Sequence, residues 1–446
     1  MTTTTHKRVP IPKNGVDYRG KIVLAPMVRS GECPSRLLAL HYGADLVWGP
    51  ETIDKSLIGT TRRVNSVTNT IDFTRFSSNG SKNAAIAANQ RESLIYRLHP
   101  AREGKQLIYQ IGTANPTTAV EAAKLIAGDV AGIDVNAGCP KPFSTSGGMG
   151  AALLKTPELL CSILRALVAE VGTPFEIGIS VKIRLLNDPA DTEKLVRSLC
   201  ETGITGLTIH CRTTPMRPRE PAIRAQLRMI ANICREAGVA CLMNGDVASR
   251  ADAEALMAEY GVDGAMIATA AETNPSVFRA LADGGMAPWE EAVHRYIRTA
   301  LDVHNRWGNT KYLLGQMIPG KQPAYKTMSR SKSYSELIQS LKNEPAFQRA
   351  ANCDFSDEMV ELARDLDREL EIGAFEVPKM SKAEKKRAAK ESAQTESKTL
   401  PPAGTKRTAD QASLDDHHNA TEKRKSDVSV DVASGTVAEQ ASTITV

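Results

Sequence analysis

Short apolar runs alternate with amphipathic stretches through residues 21–278 of this 446-residue chain. The runs are rich in Val, Ile and Leu, as buried parallel strands are, and the stretches between them repeat apolar residues at helical spacing. The pattern predicts eight strands, at residues 22–24, 45–48, 106–110, 132–136, 177–182, 207–210, 240–244 and 265–267. It predicts helices at residues 157–170, 191–202, 222–237 and 250–260.

Eight strands that alternate with helices over some 250 residues predict a parallel (β/α)8 TIM barrel. A doubly wound sheet also alternates in this way, but eight strands at this spacing favour closure into a barrel. Residues 68–101 interrupt the pattern with polar, Ser- and Asn-rich sequence. We interpret them as an elaborated connection.

The sequence pattern changes after Pro288, because apolar residues there recur only at helical spacing. Amphipathic helices are predicted at residues 293–301, 311–317, 334–341 and 359–370. Beyond residue 375 the chain is rich in Lys, Glu, Ser, Thr and Ala, and cannot bury a core. We therefore predict an N-terminal extension (1–20), a barrel domain (21–285), a helical domain (286–375) and a disordered tail (376–446).

The composition and the cysteine pattern indicate the cellular environment of the protein. The sequence is 41% hydrophobic with a net charge of +5, and it contains no apolar run of membrane-spanning length and no signal-peptide core. Eight cysteines lie without framework spacing, which predicts reduced thiols. We expect a soluble protein with no membrane partner, located in the cytoplasm, the nucleus or both. Basic clusters in the tail (382–390, 406–407 and 423–425) fit an RNA contact, a nuclear signal or a solvated extension.

Polar or turn-forming residues follow seven of the eight predicted strands. In a barrel the carboxyl ends of all strands meet at one mouth, where ligands bind. Any one of these residues has an ordinary structural explanation, such as a satisfied buried polar group. Their convergence is what indicates a site. The set consists of Pro26, Met27, Arg29, Gln110, Asn136, Lys182, His210, Asn244, Gly245, Asp246, Ala268 and Thr269.

Three features of this set suggest particular chemistry. The small turns after strands seven and eight offer backbone N–H groups that suit a phosphate. Lys182 ends an apolar strand and needs a partner, which a cofactor that becomes anionic on reduction, such as a flavin, would supply. Cys139 follows Asn136 at a strand end and is either a nucleophile with His210 as its base or a general acid. No second ligand at metal-binding spacing accompanies Cys139.

Several motifs occur together in fixed order. They are LAPMVRSG (24–31), QIG (110–112), DVNAGCPKPFSTSGGMGAALL (134–154), VKIR (181–184), IHCRT (209–213), NGDV (244–247), NPSVF (274–278) and NTKYLLGQM (309–317). With these motifs the chain resembles the tRNA-dihydrouridine synthases over residues 21–375. The loop after Cys139 and the last motif are most similar to the eukaryotic cytoplasmic branch that acts on uridine 20 of tRNA.

The resemblance implies an FMN-containing barrel and a helical domain that together bind tRNA, with NADPH as the reductant. It implies that Pro26 and Met27 pack on the isoalloxazine ring. The residues that would hydrogen-bond the ring or ribityl chain are Gln110, Lys182 and His210. The residues that would hold the phosphate are Asn244, Gly245, Asp246, Ala268 and Thr269.

The resemblance also implies roles toward the substrate. Hydride would pass from the reduced flavin to carbon 6 of uracil, while Cys139 protonates carbon 5. Asn136 would orient the uracil, and Arg29 and Arg212 would contact the RNA. Two other functions stay open on the residues alone. One is an FMN barrel acting on a free pyrimidine, and the other is a tRNA-binding chaperone without catalysis.

Overall fold

Eight parallel strands form a closed barrel in the computed structural model, which describes residues 8–76 and 92–372. The predicted (β/α)8 fold is therefore confirmed, with each strand within a few residues of its expected bounds. The strands are β1 (Lys21–Leu24), β2 (Leu46–Trp48), β3 (Leu107–Gly112), β4 (Gly132–Ala137), β5 (Gly178–Leu185), β6 (Gly206–Thr213), β7 (Ala240–Asn244) and β8 (Gly264–Ile267). The predicted tail, residues 376–446, lies outside the described residues.

The first and last strands close the barrel by pairing with each other. Leu24 of β1 lies opposite Ile267 of β8, and β2 pairs with both β1 and β3. Every pair is parallel, and β3 and β4 are buried along their whole length. All eight carboxyl ends therefore open at a single mouth, as the sequence predicts.

A tyrosine closes the opposite end of the barrel. Tyr18 is 1% exposed and packs against Trp48, with 5.8 Å between the ring centroids. A Cβ at Gly206 would lie 2.6 Å from Cδ2 of Tyr18, so only glycine leaves room for this ring at the start of β6. With this end filled, the carboxyl mouth is the open end of the barrel.

Helices cover the outside of the barrel. The longer ones are Cys33–His41, Pro116–Ile126, Pro157–Leu167, Pro189–Cys200, Leu227–Ala237 and Arg250–Tyr260, and a π-helical stretch, Val168–Gly172, continues the third. Short helices are Asp54–Leu57, Pro100–Glu103, Pro142–Thr145, Thr173–Phe175 and Thr269–Thr273, and 3-10 turns are Ala127–Asp129, Gly150–Lys155, Pro275–Phe278 and Leu281–Asp283.

Two predicted helix starts are wrong, each for a local reason. The helix expected from residue 191 begins at Pro189, because the side chain of Asp188 caps it by accepting from the N–H of Ala190. The helix expected from residue 222 begins only at Leu227. The preceding segment is held as a loop, because the N–H of Ala222 donates to Asp246 Oδ2 at 2.7 Å.

The polar insertion contains structure that the sequence analysis missed. Strands Thr61–Asn65, Thr70–Phe76 and Glu92–Leu98 form an antiparallel sheet, and a further short strand, Thr52–Ile53, pairs with β3. Ile71 and Phe73 alternate inward and are buried, although polar residues surround them in the sequence. The alternation over such a short run was hidden by its hydroxyl and charged residues.

The chain after the barrel is helical, with helices Trp289–Asp302, Trp307–Met317, Pro323–Arg330, Tyr334–Lys342, Pro345–Arg349 and Asp357–Ile372. The antiparallel sheet contacts the segment between the first two of these. Arg97 Nη1 donates to the carbonyl of His304 at 3.1 Å, and Arg306 Nη2 donates to the carbonyl of Leu94 at 2.9 Å. Through residues 8–76 and 92–372, no helix has the length and apolar character needed to cross a membrane.

Candidate active site

A cavity of about 290 Å³ opens at the carboxyl mouth of the barrel. It brings together most of the residues that the sequence singled out, from six of the eight strands and the turns after them, although β5 and β6 continue three residues beyond Lys182 and His210. The predicted residues that line it are Pro26, Met27, Gln110, Asn136, Cys139, Lys182, His210, Ala268 and Thr269. Arg29, Arg212, Asn244, Gly245 and Asp246 are not among its lining residues.

A buried hydrogen-bond network supports one wall of the cavity. Gln110 Nε2 donates to Asp134 Oδ2 at 2.8 Å, and Ser180 Oγ donates to Asp134 Oδ1 at 2.7 Å. Asn136 Nδ2 donates to Gln110 Oε1 at 3.0 Å. Asp134 is fully buried, and this burial raises its pKa to about 6. Asp134 therefore anchors the two amides, which sequence reasoning did not foresee.

The same network holds Cys139 in place. Asn136 Oδ1 accepts hydrogen bonds from the N–H groups of Gly138 and Cys139, both at 2.9 Å. The carbonyl of Cys139 accepts from the N–H of Ala151 at 2.9 Å. The thiol faces the cavity from a half-buried position. Burial and the adjacent Glu51 raise the pKa of this thiol, so it carries its proton at neutral pH.

Among the described residues, His210 is hydrogen-bonded to Arg212 and not to Cys139. Arg212 Nη1 lies 3.2 Å from His210 Nε2. Since a guanidinium can only donate, Nε2 accepts, and the ring proton lies on Nδ1. Burial and the nearby cations Lys182 and Arg184 lower the pKa of His210 to about 2. The imidazole is therefore neutral, with Nδ1–H available as a donor.

Arg212, for which the resemblance implies a contact with the RNA, is not among the residues that line the cavity. It is 4% exposed, and its Nε donates to the carbonyl of Glu220 at 2.7 Å. Its Nη2 donates to the carbonyl of Pro218 and pairs with Asp246. These contacts make Arg212 a support for His210 and for the loop after β6.

Arg29 lies at the rim of the cavity. It is exposed, in the turn after β1, with a left-handed φ of 76°. Its guanidinium lies over the ring of Tyr312, which itself lines the cavity. The C-terminal helices thus contribute a side chain to the mouth of the barrel.

The turns after β7 and β8 are neighbours, because Asn244 pairs with Met266 in the sheet. Asn244 Nδ2 donates to the carbonyl of Met266 at 2.8 Å, so it fixes the turn from within. Gly245 has a φ of 120°, which glycine adopts without strain. The N–H groups of Gly245 and Asp246 donate to no acceptor in the described part of the chain.

The model of the family "Dihydrouridine synthase (Dus)" matches residues 23–362. The chain belongs to the dihydrouridine synthase family. The resemblance found in the motifs is confirmed by this match over the barrel and most of the helices after it.

Curated relatives agree with this membership. The chain is 48% identical over 334 residues to the tRNA-dihydrouridine(20) synthase [NAD(P)+] of Schizosaccharomyces pombe, covering 74% of this chain and 66% of that protein. It is 45% identical to the Saccharomyces cerevisiae protein of the same name, covering 73% and 84%. The tRNA-dihydrouridine(20a/20b) synthase of S. cerevisiae is 26% identical, covering 71% and 77%.

Membership of the dihydrouridine synthase family implies a flavin cofactor and dependence on NAD(P). The cavity fits such a cofactor. Lys182 Nζ forms no hydrogen bond or close ion pair within residues 8–76 and 92–372. Burial and the nearby Arg184 lower its pKa to about 8, although the charge of Asp134 acts in the opposite direction. An electron-rich ring would supply the missing acceptor. Arg224, beside the turn after β7, has a buried Nε without a partner among the described residues.

Several residues of this dihydrouridine synthase site were missed from the sequence. Glu51 and Glu272 line the cavity, as do Arg184 and Tyr312. Glu51 follows β2 in the sequence GPET, where a Gly-Pro turn after an apolar run was the available signal. Tyr312 lies in a helix remote from the barrel in sequence, so no local pattern could have assigned it to the mouth.

Proposed function

We propose that the protein is an FMN-dependent, NADPH-driven tRNA-dihydrouridine synthase that reduces the carbon 5–carbon 6 double bond of uridine 20. The observation that carries the proposal is the convergence of Cys139, Lys182 and His210 on one cavity in a chain of this family. Uridine 20 follows from the names of the two relatives at 48% and 45% identity.

The residues of the barrel mouth would hold the cofactor. The apolar side chains of Pro26 and Met27 offer a surface on which a ring can pack. Lys182 would donate to the electron-rich edge of the ring, and Nδ1–H of His210 would donate from the neighbouring strand. The flavin, when reduced, supplies the hydride that carbon 6 of uracil accepts.

The phosphate of FMN would lie at the turns after β7 and β8. The unpaired N–H groups of Gly245 and Asp246, with Thr269 and Ala268 beside them, suit an anion. The carboxylate of Asp246 is directed away to Arg212 and the N–H of Ala222, which removes its repulsion from such a site. Arg224, which donates to the carbonyls of this turn, adds positive charge.

Cys139 would supply the proton of the reaction. Hydride addition to carbon 6 of uracil places enolate charge on the pyrimidine, and an acid near carbon 5 quenches it. The raised pKa keeps the thiol protonated, and the bonds from Asn136 fix the backbone that carries it. One N–H of the Asn136 amide has no partner among the described residues. With this N–H, Asn136 would orient the uracil.

The helices after the barrel would bind the tRNA. Lys326, Arg330 and Lys332 are exposed and form no ion pair within the described residues. By contrast, the ammonium group of Lys311 forms a hydrogen bond within the protein, in which Nζ donates to the carbonyl of Ser331 at 2.6 Å. The target base must leave its stack to reach the cavity, as in other base-modifying enzymes. We also propose that the protein acts in the cytoplasm, the nucleus or both, where its substrate occurs.

Flavin kinetics test the proposal directly. The purified protein should be yellow and release FMN on denaturation, and NADPH should bleach it without RNA. Anaerobic addition of tRNA that lacks dihydrouridine should restore the colour and leave dihydrouridine at position 20. Transcript with cytidine at position 20 is the matched control. Equal reoxidation by free uridine would favour a free-pyrimidine enzyme, and a protein that binds tRNA but never FMN would indicate a chaperone.

A further inference from the structure

A buried carboxylate lies beside the thiol of Cys139. Glu51 follows β2, is 9% exposed and borders the same cavity. Its Oε1 accepts a hydrogen bond from Ser144 Oγ at 2.7 Å, while its Oε2 makes no hydrogen bond of regular geometry among the described residues. Glu51 and Cys139 line the same cavity, and both Cβ of Cys139 and Ser144 Oγ, the donor to Glu51, lie against Gly150.

The surrounding backbone is shaped to admit this carboxylate. A Cβ at Gly112 would lie 2.6 Å from Glu51 Oε1, so any larger residue on β3 would displace Glu51. A Cβ at Gly150 would lie 2.4 Å from Ser144 Oγ and 2.6 Å from the carbonyl of Cys139. Glu51, Ser144 and the Cys139 loop are therefore packed as one unit, with little freedom to separate.

Three cations line the same cavity as the thiol. Lys141 lies in the loop after Cys139, while Lys182 and Arg184 project from β5. Arg184 Nε donates to the carbonyl of Gly138, which brings its charge next to the cysteine. Cations near a thiol favour the thiolate and so a nucleophile. Glu51 supplies a charge of the opposite sign in the same cavity.

We propose that Glu51 is a positioning residue that holds Cys139 as a thiol, so that this side chain works as a proton donor and not as a nucleophile. The catalytic significance of this role rests on the function proposed above. In the protonation step the S–H bond of Cys139 breaks and a C–H bond forms at carbon 5. The enolate electron pair takes the proton, and the thiolate that remains regains a proton from solvent.

The pKa shifts agree with this role. Burial raises the pKa of Cys139 first, and the charge of Glu51 raises it further, against the effect of Lys141. Burial likewise raises the pKa of Glu51, and its hydrogen bond with Ser144 lowers it. A carboxylate next to a thiolate would place two negative charges together, so the pair retains a proton on sulfur.

Alkylation of Cys139 tests the proposal without RNA or turnover. Wild-type protein and Glu51→Gln are treated with iodoacetamide from pH 6 to 10, and the Cys139 peptide is quantified by mass spectrometry. The midpoint of alkylation in Glu51→Gln should lie about one pH unit lower, which is about a tenfold faster reaction near pH 8. Glu272→Gln is the matched control, because Glu272 lines the same cavity but accepts from Ser30 Oγ, and its alkylation midpoint should stay at the wild-type value.

A second measurement connects the thiol state to the reaction. The rate of tRNA-dependent flavin reoxidation should fall at alkaline pH, where the thiol has lost its proton. In Glu51→Gln this fall should occur at lower pH, by the same shift as the alkylation midpoint. Glu51→Asp keeps the charge and should retain most of the wild-type midpoint. Circular dichroism would show whether Glu51→Gln folds. If it does not, the single variants Glu51→Asp and Ser144→Ala take its place in the comparison with the wild type.

The outcomes separate the two hypotheses. If the alkylation midpoint is unchanged in Glu51→Gln while the wild type still forms dihydrouridine, the role proposed for Glu51 is overturned and the proposed function is not. A lowered midpoint in a protein that never modifies tRNA would leave the role of Glu51 in the thiol state intact and overturn the proposed function. A lowered midpoint with a parallel shift in the alkaline fall of the reoxidation rate supports both.

Discussion

The guanidinium carbon of Arg29 lies 4.2 Å from the centre of the Tyr312 ring. Arg29 belongs to the turn after β1, and Tyr312 belongs to the helix Trp307–Met317, so this contact joins the barrel to the helices after it. Tyr312 also lines the cavity that contains Cys139. An aromatic ring at the mouth of a pocket that must receive an extruded base is suited to stack on that base.

Tyr312→Ala should therefore weaken the use of tRNA. Base–aromatic stacking contributes about 1–3 kcal/mol, so KM for tRNA should rise about 5- to 160-fold. The rate of flavin reduction by NADPH should not change. Tyr312→Phe retains the ring and the contact with Arg29, and its KM should stay within about threefold of wild type. An alanine variant with wild-type KM would show that the ring does not meet the substrate.

Binding of FMN should be coupled to the protonation of Lys182. Burial and Arg184 lower the pKa of this amine to about 8, so the unliganded protein loses the proton as pH rises through 8. A flavin that accepts a hydrogen bond from the ammonium raises the pKa again, and binding near pH 9 should take up nearly one proton. Calorimetry in buffers of different ionisation enthalpy measures this uptake. At pH 6.5, and in Lys182→Met at either pH, the uptake should be near zero.

Loss of the Cys139 thiol should affect one half-reaction only. Cys139→Ala should be reduced by NADPH at the wild-type rate, because that step involves no uracil. Its tRNA-dependent reoxidation should be about 10²- to 10⁴-fold slower, which is the usual contribution of a general acid. Cys139→Ser, a weaker acid of similar shape, should also be impaired. Stopped-flow absorbance of the flavin measures both steps, and rapid reoxidation of the alanine variant would require another proton source.

A buried ion pair should dominate local stability near the first helix. Arg36 donates to Glu103 through Nε at 2.7 Å and through Nη2 at 2.8 Å, with both side chains almost fully buried. Glu103→Ala leaves the guanidinium buried without its partner and should lower the free energy of unfolding by about 3–5 kcal/mol. Urea denaturation measures the change. The exposed pair of Arg197 and Glu193 is the control, where Glu193→Ala should cost less than about 1 kcal/mol.

The exposed cations after the barrel should contribute to tRNA affinity through charge. The double variant Lys326→Ala, Arg330→Ala should bind tRNA more weakly and with a smaller salt dependence, because each phosphate contact adds about one to the slope. FMN content should not change. The control is Arg364→Ala, Arg368→Ala, whose side chains pair with Glu361 and Asp365 on their own helix. Equal losses in both variants would indicate a nonspecific effect of net charge.

Periodicity was sufficient to predict the barrel, because strands buried on both faces must be apolar and parallel strands must be connected by helices. The same logic predicts that Gln110, Asn136, Lys182 and His210 meet at one mouth, and all four line the cavity there. The antiparallel sheet was missed, because its apolar residues Ile71 and Phe73 alternate with the polar residues Thr70 and Asp72, which are also buried. Its existence depends on pairing between strands, which no single segment encodes.

Local order along the chain is enough to predict the fold class, the strand ends that carry chemistry and the family. The partners that those side chains meet follow from the folded structure. It turned Arg212 inward beside His210, brought Tyr312 from a distant helix to the cavity, and placed Glu51 in the same cavity as Cys139. Burial, proton position and pKa depend on neighbours that are remote in sequence, and folding alone brings them together.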